Sequence, residues 1–391
     1  MRRSRRNTPL IWALAVLLAG TGGCMRSLRA SLPRVEGEVA VEGRTDGAGL
    51  GAPVVIERDL RGNATVVAED GYDAAFGHGF LHAQDRFTQM DYVRRSAAGE
   101  LAEVFGAGAL PRDGAMRPLR LREAARRILD EATAEQRRLL EAYAAGVNAA
   151  LADRPKPPPE YVLLGVRPEA WTPEDSVLVL LYFAHELQFS RRFELRRWVL
   201  EQSAAPEVAA FLTPLARAYD APMFPEPEGS VAALPPLPGP EVVDLRRPWA
   251  NRGADRERAA WNGAGLPPEP VGSNAWAVAG SRTPDGRAVL ANDPHLPLSL
   301  PNVWHRAALR IGGRTVAGVS APGVPGIAIG ASDHVAWGFT TPYLDYQDLV
   351  LVEPDPEDPS RYLGPEGAEA FEDVAEAVPV RGGGDRDGDG D

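Results

Sequence analysis

The sequence predicts an α+β chain, and three observations carry the prediction. Apolar residues recur at helical spacing through the first half, short alternating runs fill residues 273–352, and a proline-rich stretch divides the two. Recurrence every three to four residues marks helix, and alternation between Gly, Pro and Asp breaks marks strand. With 391 residues, 44% of them apolar, the chain can bury the core of one large domain or two ordinary ones.

Taken in order, Arg2, Arg3, Arg5 and Arg6 precede the apolar run LIWALAVLLAG at residues 10–20. At about 1.5 Å per residue that run is too short to cross about 30 Å of hydrocarbon, so residues 1–24 read as a signal peptide. Cys24, the single cysteine, follows Thr21-Gly22-Gly23. Two readings stay open: Cys24 is a lipid anchor, with Thr21 where such signals usually carry Leu, or cleavage is ordinary and falls near Gly23. On either, the mature protein is exported, periplasmic or a membrane-anchored lipoprotein, and it lacks disulfides.

Residues 54–56 and 65–68 read as strands around the turn Arg61-Gly62-Asn63. Phe76, Phe80, Ala83, Phe87 and Met90 then lie on one face of a helix. A shorter helix over 99–105 stops at Gly106, and helical patterns resume at 120–152 and 172–202, separated by Pro155 and Pro157-Pro158-Pro159. Residues 36–221 therefore form a helical part. Eleven prolines between 222 and 270 leave residues 222–272 as a surface linker or a removable spacer. From Ser273 to the end the strands AVLAN, RAALRI, RTVAGVSA, GIAIGA and VAWGFTT follow one another, and the tail GGGDRDGDGD reads as a loose acidic end.

The net charge of −12, with Arg scattered among more numerous acids, argues against a nucleic-acid partner. None of the six histidines falls in an HExxH-type spacing, so no zinc motif is present. What calls for explanation is Ser273, where the linker becomes a strand. A serine hydroxyl is a poor nucleophile without a base nearby, and a free α-amine, with a pKa of about 7.7 to 8.0, suits that work near neutral pH. A chain cut before Ser273 would give one residue both groups.

The residues that carry this reading resemble a known family. SNAWAVAGSRT from Ser273, NDPHL at 292–296, GVPGIAIG at 323–330, AWGFT at 336–340 and the upstream GHGFLHAQDRFTQMDYVRRSAAGELAEVFG resemble, in order and spacing, the penicillin acylase family of N-terminal-nucleophile hydrolases. The resemblance implies an αββα four-layer sandwich. It also implies a helical α-subunit, an excised spacer and a β-subunit that starts at Ser273 after cleavage from Gly272, giving an α/β heterodimer.

Carried over by position, the resemblance makes Ser273 the nucleophile, His295 the residue that orients it, and the backbone N–H of Thr341 half of an oxyanion hole. It places a calcium site on Glu194, Asp345, Asp348 and the backbone oxygen of Gln347, and an apolar acyl pocket around Leu296, Ile329, Phe189 and Phe193. The substrate class it implies is a small linear acyl amide, a β-lactam side chain or an N-acyl-homoserine lactone. Two segments depart from the family pattern: Arg58-Asp59 followed by GNATV, and Ala331-Ser332-Asp333-His334 before the AWG strand. The family's second oxyanion donor, an asparagine, lies beyond residue 391. The fold is accordingly expected to be incomplete, with little activity in this chain alone. The alternative is a truncated, non-catalytic envelope protein that keeps the helical half as a binding module.

Overall fold

The structure, a computed structural model, describes residues 28–40, 50–188, 190–214, 235–242, 272–341 and 347–382. Cys24, Phe189, Asp345, most of the 222–272 spacer and the acidic tail lie outside the described residues, as do the first 27 residues. Among the described residues no helix is long and apolar enough to cross a membrane. Two compact units emerge: the described residues within 1–185, 272–340 and 375–391 form the first, and those within 186–271 and 341–374 the second.

The first unit opens with a hairpin, β1 (Val55–Arg58) and β2 (Ala64–Ala68). Its turn is held by the Asp59 carboxylate, which accepts from the N–H groups of Arg61 and Asn63 at 2.8 and 2.9 Å. Helix α1 (Gly71–Ala98) starts at Asp70, whose side chain accepts from the N–H groups of Tyr72 and Asp73, and stops at Gly99 in the left-handed conformation. Short helices α2 (Ala102–Phe105) and α3 (Leu110–Met116) lead to α4 (Leu121–Glu131) and α5 (Ala134–Ala152), then α6 (Pro159–Leu164) and α7 (Pro173–Glu186).

The sequence pattern differs from the structure at three helix ends. Gly99 closes α1 and does not open the next helix, because a residue at φ 69° cannot continue the turn. The 120–152 run is broken at Thr133, whose hydroxyl and Gln136 form a reciprocal capping box that begins α5. The 172–202 run ends α7 at Glu186 and resumes as α8 (Ser190–Ser203) in the second unit.

After the spacer come β3 (Ser273–Val278) and β4 (Val289–Pro294), a hairpin forming its own two-stranded sheet. Strands β5 (His305–Ile311), β6 (Arg314–Ser320), β7 (Ile329–Ser332) and β8 (Ala336–Trp337) join the first hairpin in a six-stranded sheet of order β1-β2-β5-β6-β7-β8. All neighbours are antiparallel except β2 and β5, paired in parallel with Val66 opposite Leu309. That pairing joins residues on either side of the proline-rich stretch within one sheet. The mixed helices and sheets are the α+β fold expected.

Helix α1 covers the sheet with Leu81, which packs in a buried cluster with Val66, Ala307 and Leu309. Its other side meets α5, and the two backbones approach closely because two glycines lack side chains. A Cβ on Gly79 would lie 2.1 Å from the Tyr143 carbonyl oxygen, and one on Gly146 1.9 Å from that of Phe76. Around this crossing Phe87, Met90, Tyr143, Val147 and Trp171 are buried, each large apolar side chain worth roughly 1.5–3 kcal/mol. Farther along α1, the buried Asp91 carboxylate holds both Arg94 (2.6 Å) and Arg95 (3.0 Å), and Arg94 also reaches Asp175 at 2.7 Å.

The second unit holds α8, α9 (Pro206–Leu212) and an antiparallel pair, β9 (Arg361–Gly364) and β10 (Gly367–Ala370).

Candidate active site

Ser273 is the first residue of β3, and its surroundings follow from the register of the hairpin. The turn beyond β3 is closed by Thr283, whose hydroxyl donates to the Arg287 carbonyl at 2.7 Å and lies 3.0 Å from that of Gly280. Gly280 passes so near Gly286 that a Cβ there would lie 2.1 Å from the Gly286 oxygen. This turn sets Val278 opposite Val289 and, five pairs further on, Ser273 opposite Pro294. Proline has no N–H to give the ladder. The next donor, His295 N–H, closes it on the Gly272 carbonyl at 3.1 Å.

That same carbonyl accepts the Ser273 hydroxyl at 2.7 Å. Its oxygen therefore carries two donors, one a fixed backbone N–H and the other the hydroxyl of the following residue. His295 reaches Asp293 through Nε2 at 3.0 Å. Its Nδ1 borders Gly272, where an added Cβ would sit 3.5 Å from it. Leu296 and Ile329, the latter on β7, are half-buried.

A residue that sequence reasoning missed fastens the site to the AWGFT segment. Asn292 donates through Nδ2 to the carbonyls of Asn274 and Phe339, both at 3.1 Å, and accepts from Phe339 N–H at 3.1 Å. Gly338 leaves room for this bracket, since a Cβ there would fall 2.6 Å from Asn292 Oδ1. The signal lay in the two motifs together: the Asn of NDPHL and the Gly of AWGFT are one contact written 46 positions apart.

Other expected site residues fall in the second unit. Thr341 opens its second segment and is half-buried, while Phe193 on α8 is 46% exposed. Glu194 accepts from Leu349 N–H at 2.7 Å, and Ser190 donates to the Gln347 carbonyl at 3.2 Å. The α8 and 347–349 segments thus meet. Glu194, Asp348 and the Gln347 carbonyl are hard oxygen donors of the kind calcium takes, but calcium needs 6 to 8 of them. Among the described residues no group of three or more His, Cys, Asp or Glu side chains is gathered as a metal site.

The chain belongs to the penicillin amidase family, whose sequence profile matches residues 53–388. It is 36% identical over 343 residues to the acyl-homoserine lactone acylase QuiP of Pseudomonas aeruginosa, a match covering 86% of this chain and 38% of that protein. It is 35% identical over 369 residues to the penicillin acylase 2 proenzyme of Pseudomonas sp. strain SE83, covering 93% and 45%. It therefore spans about two fifths of the length of the curated relatives it matches. A solved penicillin G acylase from Alcaligenes faecalis is 26% identical, with a TM-score of 0.38, over 45% of this chain and 98% of that one.

Proposed function

We propose that this chain is the precursor of a linear acyl-amide hydrolase in which Ser273 acts twice, first on its own chain and then on substrate. The observation that carries the proposal is the doubly bonded Gly272 carbonyl, with His295 N–H at 3.1 Å and Ser273 Oγ at 2.7 Å. In the first reaction Oγ attacks the Gly272 carbonyl carbon, and its proton passes to His295. No free α-amine exists before the cut, so the base must be another group, and Nδ1 of His295 borders Gly272 while Asp293 holds Nε2. Charge building on the Gly272 oxygen is stabilised by His295 N–H. The C–N bond then breaks as the departing amine takes the proton, leaving an ester. Water opens the ester to a Gly272 carboxylate and a Ser273 with free hydroxyl and amine.

In the second reaction that amine takes the Oγ proton as Oγ attacks the substrate carbonyl. The amine product leaves with the proton, and water hydrolyses the acyl-serine. The N–H of Thr341 is one oxyanion donor, each such donor being worth about 100- to 1,000-fold in rate. Leu296, Ile329, Phe189 and Phe193 suit an aliphatic or aromatic acyl chain. Two substrate types are supported by the likeness to an acyl-homoserine lactone acylase and to a penicillin acylase: an N-acyl-homoserine lactone and a β-lactam side chain. The chains that result form an α/β heterodimer, with Glu194, Asp345, Asp348 and the Gln347 carbonyl as donors to a structural calcium ion. The arginine-led apolar start sends the protein across the inner membrane, with Cys24 as a site for a lipid anchor.

Ser273→Ala tests this in the full-length protein against a panel of chromogenic acyl amides. Turnover is expected to vanish, because one hydroxyl performs both reactions. Substantial turnover by the alanine variant would place the nucleophile elsewhere.

A further inference from the structure

Two histidines on α1 take no part in the chemistry above and are completely buried. His78 and His82 stand one helical turn apart, ring centroids 4.0 Å from each other. Both present Nε2 to the Ser320 hydroxyl, at 3.2 and 2.8 Å. Ser320 ends β6, and the turn that follows it carries two further bonds. Gly326 N–H reaches His78 Nδ1 at 3.3 Å, and Gly323 N–H reaches the Tyr143 hydroxyl at 3.0 Å, itself 2.7 Å from His82 Nδ1.

One assignment of protons satisfies every bond in this network. The Ser320 hydroxyl has one proton and donates it to the His305 carbonyl at 3.1 Å, an oxygen that can only accept. Toward both histidines Ser320 is therefore the acceptor, so each Nε2 carries hydrogen. Gly326 can only donate, so His78 Nδ1 is a bare lone pair. Tyr143 accepts from Gly323 and gives its own proton to His82 Nδ1, which is bare as well. Each ring is neutral and each bond is made. A second proton on either ring would set donor against donor in a dry interior.

We infer that His78, His82 and Tyr143 form an acid-sensitive clasp that holds the Ser320–Gly326 turn, and with it the start of β7, onto α1 and α5. Burial lowers His78 to about 3, helped by the charge of His305, and lowers His82 well below the usual histidine value, helped by His78, His305 and Arg86. The other groups facing the clasp are Tyr143, raised by burial, and Asp85, which pairs with His305 Nε2 at 3.0 Å and with Arg58 at 2.9 Å. A histidine whose folded pKa lies below its free value of about 6.5 stabilises the closed state fully only above that value. Its contribution is lost as pH falls from 6.5 toward the folded pKa. Each clasp histidine should therefore raise the open fraction about tenfold per pH unit below 6.5. Asp85 is held below its ordinary carboxylate value, so its own titration falls at the acid end of that window.

Amide hydrogen exchange of the full chain, read over residues 316–330 between pH 7 and pH 4 and corrected for intrinsic rates, tests the clasp. The open fraction is expected to rise at least 100-fold from pH 6 to pH 4. In a His78→Gln, His82→Gln double variant, which cannot titrate there, the curve should be flat from a higher starting point. Exchange of the imidazole C2 hydrogens in the unaltered protein gives a second reading should that variant not fold, with both midpoints expected well below 6.5. A flat profile in the native chain, an unchanged slope in the variant, or midpoints near 6.5 with the turn still protected would each overturn the inference.

Discussion

The crossing of α1 and α5 and the β3–β4 hairpin are both ordered, but by different means. At the crossing, position is set by exclusion: glycines admit a backbone carbonyl to within about 2 Å of where a Cβ would stand, and the surrounding side chains are buried. In the hairpin, Trp276 is 56% exposed and Val289 50%, so packing specifies little. There the position of Ser273 comes from a ladder of backbone bonds, a Thr283 turn and the Asn292 bracket. The contrast teaches that the fold and the chemistry rest on separable contacts. Changes at the crossing should remove the protein, whereas loss of the hairpin bonds that place Ser273 should remove the reaction and spare the fold.

The largest effect belongs to the helical core. Asp91→Ala would leave the guanidinium of Arg95 short of a partner and that of Arg94 with one buried carboxylate fewer. Breaking such a pair costs about 3–5 kcal/mol. Urea unfolding should show the loss, and a change below about 1 kcal/mol would mean that water reaches these arginines.

Asn292→Ala sits in the middle. It removes three exposed or half-buried hydrogen bonds, and stability should fall by about 1 kcal/mol. Appearance of a new serine terminus should slow at least tenfold, because the strand that places His295 N–H is no longer tied to Phe339. Equal loss of stability and of cutting across a set of hairpin variants would erase the distinction between the two regions. The smallest effect is expected from Trp276→Thr, within about 0.5 kcal/mol and with unaltered cutting. A loss above 2 kcal/mol would show that the hairpin face is packed in solution.

How much of this was legible in the sequence varies with the range of the contact. The aromatic stripe on α1 could be read because Phe76, Ala83, Phe87 and Met90 repeat at the helical period, and all four are buried. The hairpin could be read from alternation around Thr283-Pro284-Asp285-Gly286, and Ser273 does open its strand. The capping box at Thr133 was also written locally, as Thr-x-x-Gln inside an otherwise continuous helical pattern. His78 and His82 carried a four-residue spacing that put them on one helix face, but their partner Ser320 lies 238 or more residues away, and no local pattern announces it. The Asn292–Phe339 bracket was missed because its two halves lie in separate motifs, readable only when the motifs are taken together. The pairing of β2 with β5 likewise crosses the whole spacer, which periodicity cannot see.

The central claim is that Ser273 attacks the carbonyl before it, and intact mass measurement with N-terminal sequencing of the purified full-length protein tests it most directly. The account predicts a chain ending at Gly272 or upstream of it, together with a second chain that begins SNAWAV, and a single uncut chain from Ser273→Ala. An unaltered protein that stays in one piece while hydrolysing acyl amides would contradict it.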